Sequence, residues 1–151
     1  MADVHSKEVR RKNMSRIRAR DTRPELIVRR GLHALGFRFR LHDKRLPGKP
    51  DLVLPKHHAV IFVHGCFWHG HDCAMFRWPA TRPEFWRSKI EGNQQRDARQ
   101  LAALKQAGWR CALVWECALK GPGRLPAGDV PKTLAAWLTG SERNLSVRGT
   151  E

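Results

Sequence analysis

The fold is decided by one stretch of the sequence, Asp51-Leu52-Val53-Leu54-Pro55-Lys56-His57-His58-Ala59-Val60-Ile61-Phe62-Val63-His64. Residues 59–63 form a continuous apolar run, which is typical of a central strand buried on both faces. Residues 51–54 form a shorter strand, and residues 55–58 leave room only for a tight turn. Two strands joined by so short a turn pair antiparallel, so we expect Asp51 to lie beside Val63 and His64.

The flanking segments predict alternating helices and strands. Before the hairpin, Thr22 opens a T-x-x-E capping box with Pro24 just inside a helix, and residues 37–41 alternate as a half-buried strand. We expect the buried face of this helix to carry Leu26, Ile27, Leu32 and Leu35, and Gly36 to end it.

After the hairpin, residues 65–83 are irregular, and a long helix runs from residue 83 or 84 to about residue 107, where Gly108 ends it. Residues 110–115 form a core strand that we expect to be parallel to a neighbour, and residues 130–138 form a short helix. The sequence predicts an α/β fold with a mixed sheet flanked by helices.

The 151 residues fit a single domain. We expect residues 1–20 to be a basic helical arm, residues 21–140 the domain, and residues 141–151 a polar, flexible tail. No apolar run approaches the length of a membrane span, and the start of the chain lacks the apolar stretch of a secretory signal. A cytosolic location is therefore expected.

The chain is strongly basic. Its 29 Lys and Arg residues exceed its 14 Asp and Glu residues, which gives a formal net charge of +15. Of this excess, +10 lies in residues 1–50, which hold 15 basic and 5 acidic residues. Such a charge predicts a polyanionic partner, most simply nucleic acid, although a solvated arginine-rich surface would have the same composition.

Four residues have the chemistry of a metal site: Cys66, His71, Cys73 and Cys117. Three cysteines and one histidine form a closed tetrahedral set, which is typical of structural zinc. Disulfides are disfavoured in the cytosol, whereas unrelated thiols and imidazoles remain an alternative at this spacing. Cys111 lies inside an apolar strand and is predicted to be part of the core.

A second set of residues suggests phosphodiester hydrolysis. An Asp at a strand start beside a backbone carbonyl can hold Mg²⁺, and His64 and His69 are candidates for the base or the acid. The alternative for Asp51 is ordinary turn chemistry after proline.

Exposed aromatic residues suggest a wedge for DNA. Phe67 and Trp68 lie within the Cys66–Cys73 loop and Trp86 opens the long helix, so their rings could insert between base pairs. Packing of Phe67 and Trp68 over the zinc site is the alternative. The periodicity of the remaining tryptophans, including Trp78, suggests the core or its edge.

These segments together resemble the very-short-patch repair DNA mismatch endonucleases. The resemblance extends from about residue 5 to residue 140 and rests on residues 46–51, 60–73, 79–86 and 109–119. It implies a restriction-endonuclease-like fold and a monomer that, with Mg²⁺, nicks DNA 5′ to the mismatched thymine of T:G pairs. Mismatch-repair proteins are candidate partners.

The resemblance also implies roles for individual residues. Asp51 and the backbone carbonyl of Val63 would bind Mg²⁺, His69 would activate water, and His64 would lie near the scissile phosphate. The remaining implied roles are the following: Glu25 and Asp97 as acids that hold metal waters or orient a histidine; Cys66, His71, Cys73 and Cys117 as zinc ligands; Phe67, Trp68 and Trp86 as intercalating rings; Met14 and Ile17 as groove contacts of the arm; Lys89 and Asn93 as contacts near the mismatch.

Two departures from the family pattern matter. Position 63 is Val, where a member of the family carries Thr, so only a role for its backbone carbonyl survives the change. His64 stands where restriction-type nucleases place an acid, which favours histidine chemistry over a lysine scheme. Two alternatives to a mismatch nickase are a restriction-type nuclease of different specificity and a non-catalytic, zinc-stabilised DNA-binding protein.

Overall fold

The computed structural model describes residues 21–150. The predicted basic arm, with Met14 and Ile17, lies outside the described residues. Among residues 21–150, no helix combines the length and apolarity needed to cross a bilayer.

Residues 21–150 contain three α-helices and five β-strands. They are α1 (Arg23–Ala34), β1 (Arg40–Leu41), β2 (Leu52–Leu54), β3 (Ala59–His64), α2 (Pro83–Gln106), β4 (Arg110–Trp115), α3 (Asp129–Thr139) and β5 (Asn144–Val147). Short 3₁₀ turns follow β2 at Pro55–His57 and β4 at Glu116–Ala118.

The strands form one five-stranded mixed sheet in the order β1-β2-β3-β4-β5. Strand β2 is antiparallel to both β1 and β3, while β3, β4 and β5 run parallel. The predicted hairpin and the predicted parallel pairing of residues 110–115 are therefore confirmed. His64 pairs with Trp115 at the carboxyl ends of β3 and β4, and the antiparallel β2 begins at the same edge.

Helices cover both faces of the sheet. On one face, Val28 and Leu32 of α1 and Leu134 of α3 share a buried cluster with sheet residues such as Ile61. On the other face, Leu104 of α2 packs in a second cluster that contains Val53, Val60, Phe62 and Cys111. Alternate residues of β3 point to opposite faces, so one apolar run serves both clusters.

The buried face of α1 differs from the predicted one. The helix begins after Thr22, whose Oγ1 accepts a hydrogen bond from Glu25 N (3.4 Å), as the capping box predicts. Its buried residues are Glu25, Val28 and Leu32, whereas Ile27 and Leu35 are 37% and 49% exposed. Our expectation for Ile27 and Leu35 was wrong because the helix turns Glu25 toward the ionic partners described below.

The predicted strand at residues 37–41 shortens to Arg40–Leu41. Phe37 and Phe39 are partly buried and pack against the larger core cluster without joining the sheet. The alternation of apolar and polar residues at 37–41 therefore reflects the partial burial of the two phenylalanine rings. It does not reflect strand pairing over the whole segment.

The predicted flexible tail was also wrong in part. Residues Asn144–Val147 form β5, which pairs in parallel with β4 and buries Val147. Arg148 continues from β5 to Asp72, where its guanidinium donates to a side-chain oxygen at 2.9 Å and to the backbone carbonyl at 2.8 Å. This edge strand carries only two apolar side chains, so its partner strand, not its composition, fixes its structure.

Candidate active site and metal centre

A cleft of 590 Å³ lies at the carboxyl ends of β3 and β4. The residues that line it come from β3, the loop after it, α2 and the start of α1: Thr22, Pro24, Val63, His64, Gly65, Phe67, Trp68, His69, Lys89, Asn93, Arg96 and Glu116. The carboxyl end of β3 and the irregular loop after it therefore line the same cleft, as the sequence predicts.

Asp51 lies buried beside Val63. Its Oδ2 accepts a hydrogen bond of 2.7 Å from the backbone N–H of Val63, which is the juxtaposition expected from the antiparallel hairpin. Burial, together with the negative charge of Glu25, raises the pKa of Asp51 to about 8. A bound cation would offset the repulsion between two such close carboxyl groups.

Glu25 approaches Asp51 from α1 and is only 1% exposed. Both of its carboxylate oxygens lie 2.9–3.0 Å from His42 Nε2, and Arg29 donates to Oε2 at 2.9 Å. His42 Nε2 also lies 4.0 Å from Asp51 Oδ1. Glu25 therefore lies on the Asp51 side of the site. Sequence reasoning missed His42, which adopts a left-handed backbone conformation (φ 48°) just after β1.

His69 is held by Asp97. The Asp97 side chain on α2 forms a short hydrogen bond with His69 Nδ1. The His64 ring stacks on the His69 ring at a centroid distance of 3.8 Å and an interplanar angle of 1°. Burial and the neighbouring His69 lower the pKa of His64 to about 3, so the His64 ring is neutral at physiological pH.

Helix α2 also holds the loop that carries His69. Asn93 donates to the carbonyl of Trp68 at 2.8 Å, and Gln94 donates to the carbonyls of His69 (3.3 Å) and Gly70 (3.2 Å). Asn93 is 8% exposed, although it borders the cleft. The loop backbone and the His69 imidazole are thus fixed by the same helix.

The predicted zinc residues converge. One ligand atom from each of Cys66, His71, Cys73 and Cys117 lies within 4.8 Å of the others. The Sγ atoms of Cys66 and Cys117 both lie 3.6 Å from His71 Nδ1.

Two backbone N–H groups point at the sulfurs of this cluster. Cys117 N donates to Cys66 Sγ, and Gly149 N donates to Cys117 Sγ, both at 3.3 Å. Burial raises the pKa of the Cys66 thiol, so a bound cation would be needed to keep it as a thiolate. Three sulfurs and one imidazole nitrogen match the donor chemistry of Zn²⁺.

The aromatic rings near the cleft form a connected group. The ring centroid of Phe67 lies 5.1 Å from that of Trp68 and 5.4 Å from that of Trp86. Trp68 is 41% exposed. We call Phe67, Trp68 and Trp86 the aromatic wedge. The ring that stacks on the metal-cluster imidazole of His71, at 3.9 Å, is that of Trp115.

Sequence reasoning missed Glu116 and misplaced one tryptophan. Glu116 borders the cleft, and its Oε1 accepts a hydrogen bond of 3.2 Å from Cys66 N. Trp78, predicted in the core or at its edge, is 50% exposed. Trp78 lies in the irregular segment before α2, outside any helix or strand, so periodicity was not a guide there.

The arrangement combines the groups that hydrolysis of a phosphodiester requires. A buried carboxylate pair can hold a divalent cation, and an oriented imidazole nearby can take a proton from water. Lys89 and Arg96 add positive charge to the walls of the cleft, which suits a polyanion.

Comparisons with known proteins agree with this chemistry. The sequence matches the family described as "DNA mismatch endonuclease Vsr" over residues 2–75. It is 52% identical over 127 residues to the type II nicking enzyme V.XorIIP of Xanthomonas oryzae pv. oryzae, covering 84% of this chain and 93% of the relative.

Two further relatives match over most of their length. The DNA mismatch endonuclease Vsr of Escherichia coli is 47% identical over 140 residues, which is 93% of this chain and 90% of that protein. The type II nicking enzyme V.NmeAIP of Neisseria meningitidis is 42% identical over 120 residues, which is 80% of this chain and 86% of that protein.

Proposed function

Because this chain belongs to the Vsr family of DNA mismatch endonucleases, which are nicking nucleases, we propose that it nicks T:G mismatches in a Mg²⁺-dependent reaction. The nick falls 5′ to the mismatched thymine, as in the repair of deaminated 5-methylcytosine. The observation that carries the proposal is that one cleft is lined by Val63, which is hydrogen-bonded to Asp51, and by His69, which Asp97 holds. Phe67 and Trp68 of the aromatic wedge line the same cleft.

His69 acts as the base that takes the proton of the attacking water. Asp97 accepts from Nδ1, which leaves Nε2 as the proton acceptor. The stacked His64 ring stays neutral because its pKa is lowered to about 3. The imidazolium that forms on His69 is therefore stabilised by Asp97 and faces no charge on His64.

Asp51 and the carbonyl of Val63 would hold Mg²⁺, with Glu25 behind Asp51. The fit rests on the buried carboxyl pair: burial and Glu25 raise the pKa of Asp51 to about 8, and a cation offsets that cost. When bound, Mg²⁺ supplies charge neutralisation for the phosphate. His42 and Arg29 hold the Glu25 carboxylate in place at 2.9–3.0 Å.

Cys66, His71, Cys73 and Cys117 would hold structural zinc, which clips the loop after β3 to the turn after β4. The donor set and the two N–H groups directed at the sulfurs support this assignment. The clip fixes a loop that carries Phe67, Trp68 and His69. Phe67 and Trp68 of the wedge would therefore keep a constant spacing from His69.

The aromatic wedge would unstack the mismatched step, and Lys89 and Asn93 would contact it from α2. Exposure of Trp68 and the position of Lys89 on the cleft wall support these roles. Asn93 already donates to the Trp68 carbonyl, so it also holds the wedge. An asymmetric lesion suits a monomer, and the work of such an enzyme lies in the bacterial cytosol.

The proposal is tested by comparing wild type with Asp51→Ala on a panel of duplexes that carry each mismatch in several sequence contexts. We expect wild type to nick T:G duplexes with Mg²⁺, and the variant to bind them equally well without nicking. Cleavage of fully paired duplexes at the same rate would instead indicate a restriction-type nuclease of different specificity. Failure of wild type to nick any T:G duplex would overturn the proposal.

A further inference from the structure

A second group of aromatic residues lies outside the wedge and has no role in the proposed reaction. Trp78 is 50% exposed and Phe85 is 46% exposed. The guanidinium carbon of Arg82 lies 4.2 Å from the Phe85 ring centroid, and that of Arg87 lies 5.6 Å from a ring centroid of Trp78. We call these four residues the outer aromatic surface.

The outer aromatic surface is continuous with the wedge. Phe85 contacts Trp86 at 5.2 Å between ring centroids. On the other side, Phe76 lies 5.9 Å from Phe67 and 5.0 Å from Trp78. The rings thus form an unbroken path from the cleft to the exposed start of α2.

The two arginines retain their hydrogen-bonding capacity. Among the described residues, neither the Arg82 nor the Arg87 guanidinium donates a hydrogen bond or forms an ion pair. Each guanidinium instead lies over an aromatic ring. A guanidinium stacked on a ring keeps its in-plane N–H donors, and these match the geometry of phosphate oxygens. Stacking also limits the conformational freedom that binding would otherwise remove.

We propose that the outer aromatic surface binds the DNA duplex that flanks the point of wedge insertion. Arg82 and Arg87 contact backbone phosphates, while Trp78 and Phe85 pack against sugars and bases exposed where the duplex is opened. Exposed rings paired with unneutralised guanidinium groups fit a ligand that combines anions with flat π faces, as nucleic acid does. This inference rests on the proposed function, because it takes the wedge as the site where the duplex opens.

The test measures binding to a T:G duplex by fluorescence anisotropy without divalent cations, so that no cleavage occurs. Trp78→Ala should raise the Kd about fivefold or more, the loss typical of one stacking contact. Arg87→Gln should make the slope of log Kobs against log salt less negative by about 1, as for one lost phosphate contact. A duplex trimmed on the flank that these residues contact should bind wild type and Trp78→Ala equally.

Two control variants make matched changes at residues that belong neither to the cleft nor to the outer aromatic surface. Leu35→Ala removes a side chain that is 49% exposed at the end of α1. Arg143→Gln removes a positive charge just before β5, where the Arg143 carbonyl accepts from Cys111 N at 3.1 Å. Both should bind the duplex as wild type does.

Some outcomes would overturn the inference while leaving the proposed function intact. If wild type binds and nicks T:G duplexes but Trp78→Ala and Arg87→Gln match it in Kd and salt slope, the surface does not contact DNA. If the two variants change only self-association in sedimentation, or only binding to an acidic protein, the surface serves a protein partner. Arg87→Gln keeps the test decisive should Trp78→Ala fold poorly. Wild type that binds no duplex would overturn both proposals.

Discussion

Asp97→Asn tests the role of His69 more sharply than removal of the histidine itself. Asp97 accepts from His69 Nδ1, and the two side chains are 17% and 20% exposed. This contact favours the tautomer whose Nε2 is free to take a proton. An asparagine at position 97 can turn its NH₂ toward Nδ1, which stabilises the other tautomer and leaves no basic nitrogen for water.

The size of the effect follows from this geometry. A positioned general base contributes about 10²–10⁴-fold to a rate, and the wrong tautomer forfeits nearly all of that contribution. The neighbouring His64 cannot substitute, because its pKa is lowered to about 3 by burial and by His69. We therefore expect Asp97→Asn to lower the single-turnover nicking rate by about 10²–10⁴-fold with DNA affinity unchanged.

The assay is single-turnover nicking of a labelled T:G duplex, with DNA affinity and zinc content measured in parallel. Glu91→Gln is the matched control, since it makes the same charge change on an exposed position of α2. Asp97→Ala should be no worse than Asp97→Asn, because it leaves both tautomers accessible. An Asp97→Asn enzyme that nicks at the wild-type rate would refute the assignment of His69 as the base.

Three further predictions concern the metals and the loop. Cys117→Ala should lose bound zinc and lower Tm. Cys111 is a buried cysteine outside the cluster, so Cys111→Ala should retain the metal. Equal zinc content in the two variants would contradict the ligand set. Gly70→Ala should lower the free energy of unfolding by about 1–3 kcal/mol in denaturant titrations. Gly70 has φ 60°, and a Cβ added there would lie 2.6 Å from Ile90 Cγ2. Unchanged stability would show that the loop shifts freely. Mg²⁺ affinity, measured by calorimetry, should rise with pH up to about 8, because the raised pKa of Asp51 lets protons compete with the cation below that pH. An affinity independent of pH would show that Asp51 is not a ligand.

The sequence predicts the centre of the sheet well because its strands carry their own signal. Residues 59–63 and 111–115 are apolar on both faces, so their burial and strand length could be predicted without tertiary information. Asn144–Val147 has only Leu145 and Val147 as apolar residues, and its strand exists because β4 offers a free edge. Such a strand is defined by its neighbour and not by its composition.

The candidate site was predictable where ligand chemistry restricts the choice of residue. Cysteine and histidine near strand ends indicated the metal cluster, and the hairpin fixed Asp51 beside Val63. The position of Glu25 against Asp51 depends on how α1 packs on the sheet, which the sequence pattern does not encode. His42 gave no local signal, because a histidine after a two-residue strand resembles any loop residue.

Mapping the nick on two duplexes that differ only in one base pair, T:G or T:A, at the same position tests the specificity of the enzyme. The proposed T:G nicking activity requires wild type with Mg²⁺ to cut only the T:G duplex, on one strand, at the phosphate 5′ to the mismatched thymine. Equal cutting of both duplexes, or cutting of the strand that carries the guanine, would contradict it.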